Sequence, residues 1–240
     1  FSHLINIGVD VAMHDHIIIL NNDLTLHSNN WSANLTMLLG HQSIGIVGAL
    51  LKDGASIEHS GVVVGAVDGL AANRDAGRSI RDLNSSIRLN TIREVSAVTG
   101  ALMAFEKALF QRIGGFDAKN LAVEFNDVDF CLRAREKGYR VVINPHVRGT
   151  HKTSTSRKGQ PANIDEHIFY LNRHCTFIDS FEAPRLCFTG QGIPENRAMV
   201  AEKFFAKLVS VKVFVHELTY TGAPIFIFEL AVKLIKYGFS

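Results

Sequence analysis

Short apolar runs separated by polar turns occupy most of the first 143 residues. Residues 17–20 are apolar and mostly β-branched, which predicts a strand buried on both faces. Residues 126–137 carry apolar positions at i, i+3 and i+4, which predicts a helix capped by Gly138. The same reasoning predicts further strands over residues 44–51, 57–67 and 140–143, and further helices over residues 30–39 and 107–113.

Polar stretches separate these elements. Residues 68–90 are polar, rich in arginine and aperiodic, and we expect a mobile surface loop there. The strand over residues 140–143 is expected to end at Asn144 and Pro145, before a polar, basic stretch over residues 151–160.

The composition changes after residue 160. Helices are predicted over residues 163–174 and 195–208, the second with Pro194 at its start. A strand over residues 211–215, a Thr-Gly turn and an apolar helix over residues 224–236 follow. These last elements form one βα unit, which cannot fold alone because a parallel strand needs neighbours. We therefore expect the beginning of a second domain.

Composition narrows the class of protein. Hydrophobic residues make up 47% and charged residues 20%, as in soluble globular α/β proteins. With a net charge of +2 and no Lys/Arg run, no nucleic-acid partner is expected. The apolar stretch over residues 223–235 is too short and too charged to cross a membrane, and we expect no signal peptide. The cysteines lack the spacing of a zinc or disulfide framework, and we expect reduced thiols at Cys131, Cys175 and Cys187.

Asn21, Asn22 and Asp23 directly follow the first predicted strand. Ligands of open α/β sheets bind at the carboxyl ends of the strands, so these residues lie where a site is expected. A single carboxylate there suits a hard divalent ion that takes its other ligands from water and phosphates. The alternative is a simple turn that caps the next helix.

Glu124, Asp127 and Asp129 lie at the start of the predicted helix over residues 126–137. Asp127 or Asp129 could act as a general base for an acceptor hydroxyl. Because the two are two positions apart, they face different sides of the helix and should not share one role. The alternative is that these acids only stabilise the helix start through its dipole.

His151 begins a polar stretch that also contains Ser154, Ser156 and Arg157. A neutral imidazole can complete a divalent metal site, and the other three side chains suit phosphate oxygens. The alternative is a solvated loop. Gly100 does not cap a predicted helix. A glycine lets the backbone approach a ligand closely, so Gly100 is a further candidate site residue.

A series of motifs occurs in order between about residue 6 and residue 157. They are Ile18-Ile-Leu-Asn-Asn-Asp, Gly45-Ile-Val-Gly, Ile57-Glu-His-Ser-Gly-Val, Val98-Thr-Gly-Ala, Ile113-Gly-Gly-Phe-Asp, Phe125-Asn-Asp-Val-Asp-Phe-Cys-Leu-Arg, Lys137-Gly-Tyr-Arg and His151-Lys-Thr-Ser-Thr-Ser-Arg. Together they resemble the family-two glycosyltransferases of the GT-A fold, especially the bacterial rhamnosyltransferase-like members that build surface polysaccharides.

The resemblance implies a role for each matching residue. Asn21 and Asp23 match the ends of the family's Asp-x-Asp motif, which holds Mg²⁺ or Mn²⁺ on the nucleotide diphosphate, and His151 matches a histidine that closes the metal site. Asp127 matches the general base of an inverting displacement, whereas Asn126 replaces the acid that precedes it. The residues expected to bind donor or acceptor are Asn22, Thr99, Gly100, Asp117, Asp129, Ser154 and Arg157.

The resemblance also implies a domain organisation. Residues 1–160 are expected to form a partial GT-A domain, a Rossmann-like mixed sheet without its N-terminal nucleotide-binding βαβ units. Residues 161–208 would form a helical extension. Residues 209–240 resemble the first strand and glycine turn of a family-four GT-B glycosyltransferase, so the parent protein would carry two transferase domains.

The expected partners follow from this family. They are a nucleotide-diphosphate sugar donor and a saccharide or lipid-linked acceptor, in the cytoplasm, with peripheral association at the inner face of the membrane as an option. Two other classes stay open at this point. One is a non-catalytic binding domain derived from a transferase, in which Asn21 and Asn126 mark lost acids. The other is a nucleotidyltransferase.

Overall fold

The structure, a computed structural model, describes residues 1–66, 69–84, 86–151, 163–181, 186–188 and 194–196. Its α-helices are α1 (Ser2–Val11), α2 (Trp31–Thr36), α3 (Ile87–Asn90), α4 (Lys107–Ile113), α5 (Asn126–Glu136) and α6 (Ile164–His174), and short 3₁₀ segments cover His41–Ser43 and Ile80–Asn84. Its strands are β1 (His16–Leu20), β2 (Leu24–Leu26), β3 (Ile44–Asp53), β4 (Ser56–His59), β5 (Val62–Val63), β6 (Ala72–Asn73), β7 (Arg93–Glu94), β8 (Leu102–Glu106), β9 (Arg140–His151), β10 (Leu186–Phe188) and β11 (Pro194–Asn196).

A mixed sheet forms the centre of the fold, with strand order β1-β8-β3-β9-β2. β3 and β9 are parallel, whereas β8 runs antiparallel to both β1 and β3. The carboxyl ends of β1, β3 and β9 therefore lie at the same edge of the sheet as the amino end of β8. This mixed α/β sheet confirms the predicted fold class, and its shared edge is where the site residues meet.

Both faces of the sheet are covered by helices. Successive residues of β3 point to opposite faces, so Ile46 packs with one core cluster and Val47 with the other. The larger cluster contains side chains from α4 and α5 and a group of four packed rings, Phe105, Phe110, Phe116 and Phe130. The smaller cluster is closed by α2. This packing fixes the start of α5, which carries Asp127.

β1 is less buried than predicted. It pairs only with β8 and is an edge strand of this sheet, so Ile19 is buried while Leu20 is 45% exposed. The expectation of burial on both faces is therefore wrong within the described residues. Helix α1, which the apolar pattern did not predict, precedes β1 and buries Val9 against the larger core cluster.

β9 is three times longer than predicted, because Asn144 and Pro145 do not end it. The parallel register with β3 shifts between Ala49 and Leu50, and this irregularity accommodates the proline within the strand. His151 is therefore the last residue of a strand and not the first residue of a loop.

The predicted strand over residues 57–67 is interrupted. β4 ends at His59, and Gly61, with φ at +108°, precedes β5. Residues 68–90 also differ from the expected loop, because their described part contains β6, a 3₁₀ segment and α3. Asp75 is buried there and binds Ser60, Arg78 and Arg88, so tertiary ion pairs stabilise this polar segment.

Only some of the elements predicted after residue 160 lie within the described residues. α6 confirms the helix predicted over residues 163–174, with the Asn163 side chain accepting a bond from the Glu166 N–H. Pro194–Asn196 form a strand, so a helix starting there is wrong, and the rest of residues 195–208 lies outside the described residues. The βα unit over residues 211–236 also lies outside them. No helix in the described ranges is both long and apolar enough to cross a membrane.

Candidate active site

The ends of β1 and β9 bring the three predicted metal-site residues together. Asn21 and Asp23 follow β1, and the pairing of Leu24 with His151 places the imidazole beside them. Nε2 of His151 lies 3.1 Å from Oδ1 of Asp23 and 3.3 Å from Nδ2 of Asn21. Residues 130 positions apart in sequence thus form one polar cluster.

Glu58 orients the imidazole of His151 from the other side. Its Oε1 lies 2.7 Å from Nδ1 of His151. Because a carboxylate only accepts, Nδ1 carries the hydrogen and Nε2 faces Asp23 and Asn21. The hydrogen bond to Glu58 raises the pKa of His151, with a smaller contribution from Asp23. A carboxylate behind a histidine is the usual support of a metal-binding imidazole.

The cluster fits a divalent cation. When the imidazole is neutral, Nε2 and the Asp23 oxygen are two acceptors facing each other, and that oxygen is buried without a hydrogen-bond donor. Carboxylate, amide oxygen and imidazole suit Mn²⁺ or Mg²⁺, which take their remaining ligands from water and phosphate. In the described part of the chain, no group of three or more His, Cys, Asp or Glu side chains is arranged to hold a metal ion. An ion held by Asp23 and His151 would therefore need further ligands, such as water or a bound phosphate.

Asp127 lies in the first turn of α5 and is oriented by backbone donors. Its Oδ2 accepts the Gly100 N–H at 2.7 Å, and its Oδ1 accepts the Val128 N–H at 2.8 Å. Burial raises the pKa of Asp127 even though these hydrogen bonds lower it. A rigid carboxylate with a raised pKa is suited to take a proton from a hydroxyl.

Gly100 allows its backbone to reach Asp127. A Cβ on residue 100 would lie 3.3 Å from Cβ of Asp127 and 3.6 Å from the ring of Phe1. The Thr99 hydroxyl oxygen accepts the Ala101 N–H at 3.2 Å, which closes the turn before β8. The predicted close approach of backbone at Gly100 is therefore made to the candidate base.

One cavity of about 750 Å³ connects the metal cluster and the candidate base. Its wall also contains apolar side chains from the N-terminus, β5 and α5. The polar residues on this wall are Asn21, Asn22, Asp23, Asn73, Thr99, Glu124, Asn126, Asp127, His151 and His167. Seven of the site residues predicted from sequence thus line this cavity: Asn21, Asn22, Asp23, Thr99, Gly100, Asp127 and His151.

Asp117 and Asp129, which were expected to bind donor or acceptor, do not line this cavity. Arg173 bridges them, at 3.0 Å from Asp117 and 3.2 Å from Asp129. Asp129 is fully buried and also pairs with Arg133 and His174. The hydrogen bond with His174 and the charges of Arg133 and Arg173 hold the pKa of Asp129 below the usual range against the effect of burial. In the structure Asp129 joins α5 to α6, and Asp117 joins the loop between α4 and α5 to α6. Ser154 and Arg157 lie outside the described residues.

Helix α6 shapes the segment that precedes Asp127. The Glu166 carboxylate accepts the backbone N–H groups of Val123 and Glu124. Phe125 adopts a left-handed backbone conformation, φ +56°, and its ring stacks on Tyr170 at 4.7 Å. Such a conformation is unfavourable for a phenylalanine and persists only where neighbours enforce it. These contacts turn the chain into α5 so that Asp127 faces the cavity.

Sequence reasoning missed four contributors to the site: Glu58, His59, Asn73 and His167. Glu58 and His59 lie in the motif Ile57-Glu-His-Ser-Gly-Val, which carried the resemblance but received no role. Nothing local marks Asn73 or His167, because their positions on the cavity wall depend on how β6 and α6 pack.

The chain is similar to known proteins over the same region. The model of the family described as glycosyltransferase-like family 2 matches residues 1–164, and the chain belongs to this family. It is 31% identical over 159 residues to the uncharacterized protein y4gI of Sinorhizobium fredii, and 29% identical over 158 residues to the O-antigen biosynthesis protein RfbC of Myxococcus xanthus. Each match covers 65% of this chain but only 17% and 12% of those proteins.

Two solved structures are also similar. GalNAc-T7 with UDP, GalNAc and Mn²⁺ matches 63% of this chain and 30% of its own, with a TM-score of 0.49 and 15% identity. The mannosyltransferase PcManGT from Pyrobaculum calidifontis, in complex with GDP-Man and Mn²⁺, matches 98% of this chain and 66% of its own, with a TM-score of 0.44 and 15% identity.

Proposed function

We propose that the domain transfers a sugar from a nucleotide-diphosphate donor to a hydroxyl of a saccharide or lipid-linked acceptor, with inversion and with Mg²⁺ or Mn²⁺. The observation that carries this proposal is that one cavity contains both the Asn21–Asp23–His151 cluster and the half-buried carboxylate of Asp127. Membership of glycosyltransferase-like family 2 supports it.

We assign the polar cluster to the donor end of the cavity. Asp23 and His151 would be the direct metal ligands, and Asn21 can supply an amide oxygen. A divalent ion bound there would place positive charge on the departing diphosphate. Glu58 keeps Nε2 of His151 directed at this position. The phosphates of the donor would complete the open coordination sphere.

We assign Asp127 to the acceptor side of the cavity. Its carboxylate would take the proton of the attacking hydroxyl, while the N–H groups of Gly100 and Val128 hold it in one orientation. A single displacement at the anomeric carbon needs no covalent enzyme intermediate, and it inverts the configuration of that carbon. The Asn126 amide cannot act as an acid or a base, and its side chain donates a hydrogen bond to the Val123 carbonyl.

We also propose the wider setting as an inference from the relatives. Similarity to an O-antigen biosynthesis protein supports a role in cell-surface polysaccharide synthesis. We include a location at the cytoplasmic face of the membrane in the proposal. The match covers only 12% of that relative, which is therefore much longer than this chain. Together with the resemblance of residues 209–240 to a second transferase, this supports a longer polypeptide with two transferase domains. Expression of the full-length polypeptide tests this: a second, separately inactivated transfer activity is expected, and a single activity would contradict it.

A donor panel tests the proposed reaction. The full-length polypeptide is incubated with Mn²⁺, a mixture of saccharide and lipid-linked acceptors, and UDP-, GDP- or dTDP-sugars in turn. We expect one donor to give a glycoside whose anomeric configuration, read by NMR, is opposite to that of the donor, and EDTA to stop the reaction. Retention of configuration, or transfer that EDTA leaves unchanged, would contradict the proposal.

A further inference from the structure

His59 is a fully buried residue at the end of β4, and it does not line the cavity. Its Nε2 lies 3.3 Å from the backbone nitrogen of Thr99, and its Nδ1 lies 2.8 Å from Oδ1 of Asn73. The Thr99 N–H can only donate, so Nε2 must be the acceptor. Nδ1 therefore carries the hydrogen and donates it to Asn73. Both ring nitrogens have fixed partners and a fixed tautomer.

The imidazole of His59 is neutral at physiological pH. Burial lowers its pKa to about 4, and the charges of Arg93 and His151 act in the same direction. It is thus unsuited to exchange protons during a reaction, and its contribution must come from its two hydrogen bonds.

The peptide unit that His59 contacts is held at both ends. The N–H of Thr99 donates to His59, and the carbonyl of Val98, in the same peptide unit, accepts from the thiol of Cys131 at 3.8 Å. Burial raises the pKa of Cys131 far above its usual range, so the thiol keeps its proton and remains a donor. The orientation of this peptide unit is therefore set by side chains from β4 and α5.

The next peptide unit carries the donor to the candidate base. Gly100 directly follows Thr99, and its N–H binds Oδ2 of Asp127 at 2.7 Å. A rotation of the Val98–Thr99 peptide would turn the Gly100 N–H away from that oxygen, because the two peptide units share the Cα of Thr99. His59 thus lies at the start of a chain of contacts that ends on Asp127, and Asn73 extends this chain to the cavity wall.

We propose that His59 is a positioning residue for Asp127, acting through the Thr99–Gly100 turn. The effect of His59 on turnover rests on the proposed function. Its effect on the orientation of the Thr99–Gly100 turn does not. His59→Leu removes both hydrogen bonds with little change in volume, whereas His59→Gln retains one donor and one acceptor. His41→Leu, in the exposed segment before β3, is the matched control.

The first measurement is independent of activity. In ¹⁵N–¹H NMR spectra of the labelled chain, His59→Leu is expected to shift the amide signals of Thr99 and Gly100 and to speed hydrogen exchange at Thr99, and His59→Gln to shift them less. Asn73→Ala, which removes only the partner of Nδ1, serves if His59→Leu does not fold, and a smaller shift of the same signals is expected. Unchanged Thr99 and Gly100 signals in the folded variants would overturn the proposal.

The second measurement is kinetic and uses the donor identified for the full-length polypeptide. We expect His59→Leu to lower kcat by about 10- to 100-fold, as misplaced catalytic groups do, with the KM for donor changed by less than about threefold. His59→Gln should recover most of this loss, and His41→Leu should match the wild type. An unchanged kcat in His59→Leu, or equal losses in His59→Leu and His59→Gln, would overturn the positioning role. Absence of transfer by the wild type with every donor would instead count against the proposed function.

Discussion

Glu58→Gln tests how much the negative charge of Glu58 contributes to metal binding by Asp23 and His151. The substitution keeps the length of the side chain and an oxygen that can accept the Nδ1–H of His151. It removes the negative charge that lies 2.7 Å from that nitrogen. The metal ligands themselves stay unchanged, so any loss of metal affinity reports on the orientation and basicity of His151.

The expected magnitude follows from the burial of the pair. The Glu58 and His151 side chains are 12% and 11% exposed, so water screens their interaction poorly. Loss of a carboxylate behind a metal-binding histidine typically costs about 10- to 100-fold in metal affinity, or roughly 1.4 to 2.7 kcal/mol. Glu58→Gln should lie near the lower value because the hydrogen bond can persist, and Glu58→Ala near the upper value because it cannot.

Mn²⁺ binding measures this effect directly. Free Mn²⁺ is quantified by EPR in the presence of a saturating nucleoside diphosphate, because the open cluster leaves room for phosphate ligands. Glu136→Gln, at the exposed far end of α5, is the control and should bind Mn²⁺ like the wild type. Wild-type affinity in both Glu58 variants would refute the assignment of His151 as a metal ligand supported by Glu58.

Further predictions concern the base and the packing around it. Burial raises the pKa of Asp127, so turnover should fall as the pH drops through a value above that of an ordinary aspartate, and a pH–rate profile checks this. The folded state also binds the Asp127 proton more tightly than the unfolded state, so the wild type should lose stability relative to Asp127→Asn as the pH rises through the raised pKa, which Tm values measured across this pH range check. Gly48→Ala places a Cβ 2.6 Å from the side chain of Val98 and should cost about 1–3 kcal/mol in urea unfolding. Asp129→Ala leaves its cationic partners without their buried counter-charge and should cost about 3–5 kcal/mol in the same assay.

Each of these has a result that contradicts it. An acid limb at the pKa of an exposed aspartate, or a Tm difference between the wild type and Asp127→Asn that does not change with pH, would show that the Asp127 carboxylate is not destabilised by burial. Gly8→Ala is the matched control for Gly48→Ala, because nothing lies within 4 Å of the added Cβ in α1. It should stabilise the chain by roughly 0.5–1 kcal/mol. Equal effects of the two glycine substitutions would contradict the packing argument, and a neutral Asp129→Ala would contradict the ion-pair assignment.

Elements whose ends are set locally could be predicted from the sequence. α4 matches the predicted residues 107–113, and α5 ends next to Gly138, whose φ of +85° is the conformation that a glycine cap requires. α6 likewise starts after a side chain that caps it. In each case, residues within four positions of the helix end decide where it ends.

Elements that depend on distant neighbours could not be predicted this way. Pro145 looks like a strand terminator, yet β9 continues because the Asn144 side chain binds the Asn34 carbonyl and the His146 N–H, and β3 shifts its register. The segment around Asp75 looks like a loop, but its charges are paired with each other and with Ser60. Pairing partners of this kind do not appear in a local pattern of hydrophobic and polar residues.

In the candidate site, too, some residues could be identified from their local sequence and others only from distant contacts. Asp23, Asp127 and His151 stand next to a strand end or a helix start, so their types and positions pointed to chemistry. Asp129 stands equally close to a helix start, yet it faces α6, and only the packing of that helix decides this. Glu58 is 93 residues from His151, and the sequence alone does not indicate that they meet.

We propose Asp127 as the base in a metal-dependent transfer. Single-turnover transfer by Asp127→Asn, compared with the wild type and with Asp10→Asn on the exposed surface of α1, tests it most directly. We expect transfer by Asp127→Asn to fall by about 10²- to 10⁴-fold, the usual contribution of a general base, while Mn²⁺-dependent donor binding stays within a few-fold of the wild type. Transfer by Asp127→Asn at the wild-type rate would contradict the account.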